Sequence, residues 1–537
     1  MGRSSPPPQQ LNERTFLLAS HQHDTDDGDR NTQDGLAEET ELTALAVIDD
    51  DDDNNCDIDS MDDNDKNDDE RSTGRRILEL AIPALGALLI DPLLTLADTA
   101  FVGRFADSPY ELAGMGSATA LLTFSFYIFN FLCTATTPLV ASKRSSGKED
   151  EAIAVGRQSL SLALALGAVL AFLLIVFRYP LLELMGTAIS GEQATGYAVD
   201  FLVIRALAAP AVFSISASTG ILRGYLDTKT PIFVLLVANV VNFLLDVVLI
   251  VFAGMGPAGA ALATTTAEWI SALLFLFVLS GQLPSADGEL GRKEERKNET
   301  IAITPTLSIP PWEEVQPLVV ASSAVFLRTT ILQLFLSVSA ALAARGTDMA
   351  GGAAASISAH QIAIQLWMLC SYTSDALAAA SQGLVADALG RNSHRQVTDI
   401  SKTVLVYSIV LGSGLATVLW IGFSSQFLLT LFTTNVETQS DLMDIAVLIV
   451  LAQPLNSLVF AADGVLQGAS KFPYQAKSMA VSATVAGLFF VTIQAMHVSD
   501  ELFQVWSALI ALQFMRGVTS AFKIVDRDGP IRLLLEE

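Results

Sequence analysis

The chain has 537 residues, of which 51% are hydrophobic and only 16% charged, with a formal net charge of -26. Soluble globular domains carry about 25% charged residues, so this composition excludes an ordinary soluble enzyme, and no nucleic-acid partner is expected. Apolar segments of about 20 residues, the length that crosses a bilayer as helix, recur from about Ile77 to Phe522.

The acidity is concentrated at the start. Residues 1–72 hold 22 Asp and Glu against 5 Lys and Arg, a net of -17, and include DDDDDNN at 49–55 and DDNDKNDDE at 62–70. Self-repulsion and a shortage of apolar surface predict a disordered, solvated cytosolic tail. The tail lacks the Arg-rich, acid-poor composition of a transit peptide and the apolar core of a secretory signal. ERTFLL at 13–18 fits the acidic dileucine pattern read by sorting adaptors, although so short a pattern also arises by chance. His21 and His23 read as solvated side chains. Cys56, Cys133 and Cys370 imply neither a disulfide framework nor a zinc site.

Twelve membrane helices are predicted, with approximate spans 77–101, 112–136, 155–178, 197–219, 230–253, 258–281, 315–344, 352–386, 401–423, 442–465, 473–496 and 500–522. The stretch at 286–314, charged at first and Pro/Thr-rich later, reads as a cytosolic linker. It divides an N-lobe over 73–285 (helices 1–6) from a C-lobe over 315–522 (helices 7–12), followed by a cytosolic tail at 523–537. Leu139-Val140-Ala141 recurs as Leu384-Val385-Ala386, and PAVFSISASTGILRG at 210–224 lines up with PLNSLVFAADGVLQG at 454–468. Two repeats of six spans share one orientation. The expected fold is therefore an all-α polytopic membrane protein whose lobes are related by a pseudo-two-fold axis along the membrane normal.

Basic residues set the orientation. Arg75, Arg76, Lys143, Arg144, Arg223, Lys229, Arg391, Arg395 and Lys471 fall on one side of the twelve-span arrangement, whereas Arg104, Arg178 and Arg345 fall opposite. Both termini are predicted to be cytosolic.

Ionisable residues within apolar spans mark function by default. The first helix carries Asp91 and Asp98, two turns apart on one face, with Pro92 predicting a bend. The fifth carries Asn242 and Asp246 in VVNFLLDVVLIV, spaced i to i+4, and Thr264 in ALATTTAEW on the sixth adds a hydroxyl. Such oxygen ligands capture a proton or a small cation such as Na⁺; holding a neighbouring helix is the structural alternative. The positions matching Asn242 and Asp246 in the second half are Ala486 and Phe490, an asymmetry that packing alone does not require. Arg205 and Arg328 can bind an anionic substrate, pair with a carboxylate or snorkel, and pairing is the preferred reading. Glu268, Asp375 and Asp463 are further candidates for a cleft between the lobes. His360 can relay protons, but a core histidine with its hydrogen bonds satisfied is the expected state.

Across residues 75–520 the chain resembles the multidrug and toxic compound extrusion (MATE) family, in the branch of bacterial DNA-damage-inducible-F-like proteins and plant organic-acid exporters. DPLLTLADTAFVGR at 91–104, IRALAAPAVFSISASTGILRGYLDTKTP at 204–231 and GMGPAGAALAT at 254–264 carry the resemblance. It implies export of organic solutes in exchange for H⁺ or Na⁺, without a cofactor or catalytic activity. By position it assigns cation coupling to Asp98, Asn242, Asp246 and Thr264. Some members have a tyrosine one turn before the first-helix acid; Leu94 stands here, which tilts the expectation from Na⁺ towards H⁺. Alternatives are a citrate-like organic-acid exporter of the same fold, a lipid-linked oligosaccharide flippase, and a membrane-embedded acyltransferase, for which only His360 offers a candidate. The expected setting is a monomer in the plasma membrane or a vacuolar or endolysosomal membrane.

Overall fold

In a bilayer the backbone must satisfy its own polar groups, and a chain of long apolar runs does so as helix. The computed structural model describes residues 73–90, 109–129, 131–184, 192–283, 302–306, 312–343, 352–496, 498, 500–526 and 529–530, and among these no strand occurs. Helix α1 runs over 73–90. It is followed by α2 (Pro109–Ile128), α3 (Phe131–Ser145), α4 (Glu149–Val176), α5 (Arg178–Leu184), α6 (Glu192–Ala206), α7 (Ala209–Gly224), α8 (Lys229–Asp246) and α9 (Gly256–Leu279). The second half comprises α10 (Trp312–Ala343), α11 (Gly352–Gly390), α12 (His394–Ser424), α13 (Phe427–Phe432), α14 (Val436–Leu451), α15 (Gln453–Gly468), α16 (Phe472–Ala495) and α17 (Glu501–Val525).

Among the described residues, eight helices are long and apolar enough to cross a membrane, and ten if each of two bent pairs counts as one span. Both pairs correct an expected straight span. The predicted helix at 197–219 is α6 and α7, bent by 46°, and the one at 442–465 is α14 and α15, bent by 48°. Proline is the cause in each, because Pro210 and Pro454 stand in the first turn of the second member, where a missing N–H starts a helix rather than continuing one.

The two halves share this construction down to single contacts. A Cβ added to Gly220 on α7 would lie 2.8 Å from the Cys133 carbonyl oxygen on α3, and one added to Gly464 on α15 would lie 2.5 Å from that of Ala378 on α11. Gly167 on α4 likewise abuts Pro210, and Gly412 on α12 abuts Pro454. The left-handed turn residues match as well: Gly147 pairs with Asn392, and Leu226 with Ser470. Each half is thus built around a small-residue seam that lets one bent helix approach its neighbours at backbone distance.

The halves meet along α3 and α11. Gln382 Nε2 donates to the Thr134 carbonyl at 2.6 Å, and Ser146 Oγ donates to the Gly390 carbonyl at 3.0 Å. Leu226 reaches from the α7–α8 turn into the apolar cluster of α11 and α15. The linker differs from a plain loop where it is described. Ile303 is fully buried against α4, α7 and α9, and Ser161 Oγ donates to the Thr306 carbonyl at 2.9 Å while also accepting the Thr306 N–H. Helix α10 begins at Trp312, within the stretch expected to be linker.

The acidic tail with ERTFLL, His21, His23 and Cys56 lies outside the described residues, as do Asp91, Pro92, Leu94, Asp98, Arg104, Arg345 and most of the linker.

Candidate functional site

Beyond its first turn helix α8 is apolar except for Asn239, whose Nδ2 donates to the Leu235 carbonyl at 2.7 Å, and for Asn242 and Asp246. Asn242 and Asp246 are each 0% exposed, and Asn242 Nδ2 donates to Asp246 Oδ2 at 3.0 Å, the contact that i, i+4 spacing delivers. Regular α-helix ends at Asp246. The next six residues, Val247–Phe252, form a π-helix in which the Ala253 N–H reaches back to the Val248 carbonyl at 2.9 Å. Such wide turns are costly in isolation and cluster at functional sites. Thr264 lies two turns into the neighbouring α9, buried, with its hydroxyl donating to the Ala260 carbonyl at 2.8 Å. At the matching places in the second half, Ala486 is fully buried and Phe490 packs into an apolar cluster.

Arg205 on α6 and Glu268 on α9 form a two-pronged ion pair. Nη2 donates to Oε1 at 2.8 Å, and Nη1 donates to Oε2. The Arg205 guanidinium also lies 5.9 Å from the Phe126 ring. The planar fork fits the carboxylate and joins two helices of the first half, so both charges are compensated there.

The second half encloses a different arrangement. Asp463 on α15 accepts from Arg516 Nη2 on α17 at 2.6 Å, from Arg328 Nη2 on α10, and from Gln475 Nε2 on α16 at 3.2 Å. Arg516 Nη1 donates to Gln513 Oε1 at 2.5 Å, and Gln513 in turn donates to Asn456 Oδ1 at 2.6 Å. Four helices are fastened by this network at membrane depth. It borders a cavity of about 190 Å³ whose walls include Trp367, Tyr372, Phe460 and Trp506. Asp375 on α11 lines the same cavity but makes no hydrogen bond or ion pair with any described residue.

His360 does not have the satisfied hydrogen bonds expected of it. It is 2% exposed, its ring lies 5.9 Å from that of Trp506, and its Nδ1 has no hydrogen-bond partner among the described residues. Trp506 Nε1 likewise has no hydrogen-bond partner among the described residues.

The structure therefore sorts the sequence candidates into three places. Asn242 and Asp246 are joined on α8, with Thr264 on the helix packed beside it. Arg205 and Glu268 neutralise each other. Arg328, Asp375 and Asp463 gather at the cavity, whose lining contains none of the first two groups. Arg516 was not singled out from the sequence. An arginine in the apolar stretch LQFMRGVTS is nonetheless the same signal that marked Arg205 and Arg328.

Known proteins agree with this architecture. The MatE family model matches residues 83–248 and 349–493, leaving 1–82, 249–348 and 494–537 outside. Protein DETOXIFICATION 44, chloroplastic, of Arabidopsis thaliana is 29% identical, with 86% of this chain and 84% of the relative covered. DNA damage-inducible protein F of Escherichia coli K12 is 27% identical, covering 84% of this chain and 92% of the relative. A solved MATE multidrug resistance transporter in an outward-facing conformation superposes with a TM-score of 0.70 at 18% identity, covering 83% of this chain and 94% of the other. The chain belongs to the MatE family of membrane transporters, those of multidrug and toxic compound extrusion.

Proposed function

We propose that the protein is a secondary active antiporter that exports organic solutes in exchange for protons through alternating access. One observation carries the coupling assignment. Asp246, wholly buried and bonded to Asn242, sits where α8 gives way to a π-helix, and the equivalent helix of the other half is apolar there. Asp98 of the first helix and Thr264 complete the proposed cation site.

Twelve spans are counted as follows. The ten apolar spans gain α1, whose helix is described only to residue 90, and α11, long enough at 39 residues but interrupted by polar side chains. Six then fall in each half, with both termini cytosolic by the distribution of basic residues.

In the cycle, protonation of Asp246 from the outer or luminal side removes a buried charge and favours one packing of the first half. Release on the cytosolic side restores the other. Coupling needs only that proton and cargo prefer opposite states by a few kcal/mol. Sodium is the second reading, because the carboxylate, the Asn242 carbonyl oxygen and the Thr264 hydroxyl are all oxygen donors suited to a small hard cation.

The test is flux into proteoliposomes under separately imposed gradients. Acceleration by a pH gradient at constant Na⁺ supports the proposal, acceleration by a Na⁺ gradient at constant pH selects the second reading, and indifference to both removes the cation site.

A further inference from the structure

We infer that the cavity bordered by the Asp463 network is a binding site for a compact zwitterion: a molecule with a cationic amine, a carboxylate-like anion and a short aromatic or apolar body. Opposite charges with bonding capacity to spare line the same small space. Asp375 presents a carboxylate with no hydrogen bond or ion pair to any described residue. Arg328 uses one nitrogen, Nη2, on Asp463 and makes no other hydrogen bond with the described residues. A guanidinium has five N–H donors, so most remain for a ligand. The two side chains do not pair with each other, because the ion pair of Arg328 is to Asp463.

Charge accounting within the cavity favours a ligand with both signs. Among the described residues the lining contains Arg328, Arg516, Asp375 and Asp463, two positive and two negative groups. A simple organic cation would satisfy Asp375 but leave Arg328 and Arg516 sharing the single carboxylate of Asp463, and a simple anion would relieve that shortage but leave Asp375 without a hydrogen-bonded partner among the described residues. Burying an ionised group without a partner is strongly unfavourable, so a ligand serving both groups gains over either. Between the charges, the faces of Trp367, Tyr372, Phe460 and Trp506 offer an apolar and cation-tolerant wall. The volume of about 190 Å³ lies below the roughly 300–1,000 Å³ of sites for drug-sized ligands. The occupant is therefore compact.

This inference rests on the transport reading only in calling the ligand cargo; the binding itself is measured without a membrane gradient. Three probes share one benzene ring: phenethylamine carries the cation alone, 3-phenylpropionate the anion alone, and phenylalanine both. Titration calorimetry of the purified full-length protein at neutral pH should find phenylalanine bound at least about tenfold more tightly than either of the others. Asp375→Asn should weaken phenylalanine and phenethylamine and leave 3-phenylpropionate unaffected. It should also melt with the wild type, since the carboxylate makes no hydrogen bond or ion pair with a described residue. Phenethylamine or 3-phenylpropionate binding as tightly as phenylalanine overturns the proposal, and so does absence of binding by all three. Loss of gradient-driven flux with this binding order intact would instead overturn the antiport reading and leave the site standing.

Discussion

Asp246 and Asp463 are both buried carboxylates in membrane-spanning helices, and their surroundings give them opposite characters. Asp463 is held between two guanidinium groups and an amide from three other helices, an arrangement that fixes charge in place. Removing it strands the buried Arg516 and the half-buried Arg328, and breaking a buried pair costs about 3–5 kcal/mol. Asp463→Asn is accordingly expected to lower the thermal unfolding midpoint of the purified protein sharply. Asp246 has an amide neighbour and can change charge without stranding a cation on its own helix. Asp246→Asn should leave the unfolding midpoint close to that of the wild type, measured in the same experiment, while gradient-driven flux is lost. The sequence disclosed Asn242 and Asp246 because both lie on one helix and the i, i+4 rule is local. It could not join Asp463 to Arg516, 53 positions away on another helix, or to Arg328, 135 positions away.

At the level of helices, hydrophobic periodicity locates segments but is blind to what bends them. The spans at 197–219 and 442–465 ran through Pro210 and Pro454, although proline near a helix start was the available signal. The π-helix after Asp246 had no signal, since VVLIVF suits any buried helix. The glycine seam makes a sharper test. A Cβ on Gly412 would lie 2.6 Å from the Pro454 Cα and 2.7 Å from the Gln453 carbonyl oxygen, backbone atoms that cannot rotate away. Overpacking of this kind costs about 1–3 kcal/mol, so Gly412→Ala should destabilise the purified protein in thermal or denaturant unfolding. Gly414, two residues on, faces open space. Gly414→Ala should be neutral or gain the fraction of a kcal/mol by which alanine is the better helix former, about 1 kcal/mol at most.

For the molecule as a whole, the repeat was legible because matching residues recur at a nearly constant offset, and the structure turns that recurrence into matching contacts at Gly220 and Gly464. Departures from the repeat were less legible. Asn242 and Asp246 stand against Ala486 and Phe490, which the sequence could register. That the charged groups of the second half face a cavity, walled also by Leu88, Phe131 and Thr134 of the first half, depended on side chains from α10, α11, α15 and α17 converging in space. Orientation is testable chemically. Asn298 begins the sequon Asn-Glu-Thr in the linker, and a cytosolic linker remains unglycosylated. A glycosidase-sensitive mobility shift that disappears in Asn298→Gln would place the linker on the opposite side.

The central claim is that a proton handled at Asp246 is exchanged for cargo. The most direct measurement is the pH inside sealed proteoliposomes, read by an entrapped dye, when a transported solute is added outside without any imposed gradient. Antiport predicts that solute entry drives protons out of the vesicles, raising the internal pH with the wild-type protein, and that Asp246→Asn abolishes this change. Solute movement with no change in internal pH, or an equal change with Asp246→Asn, would contradict it.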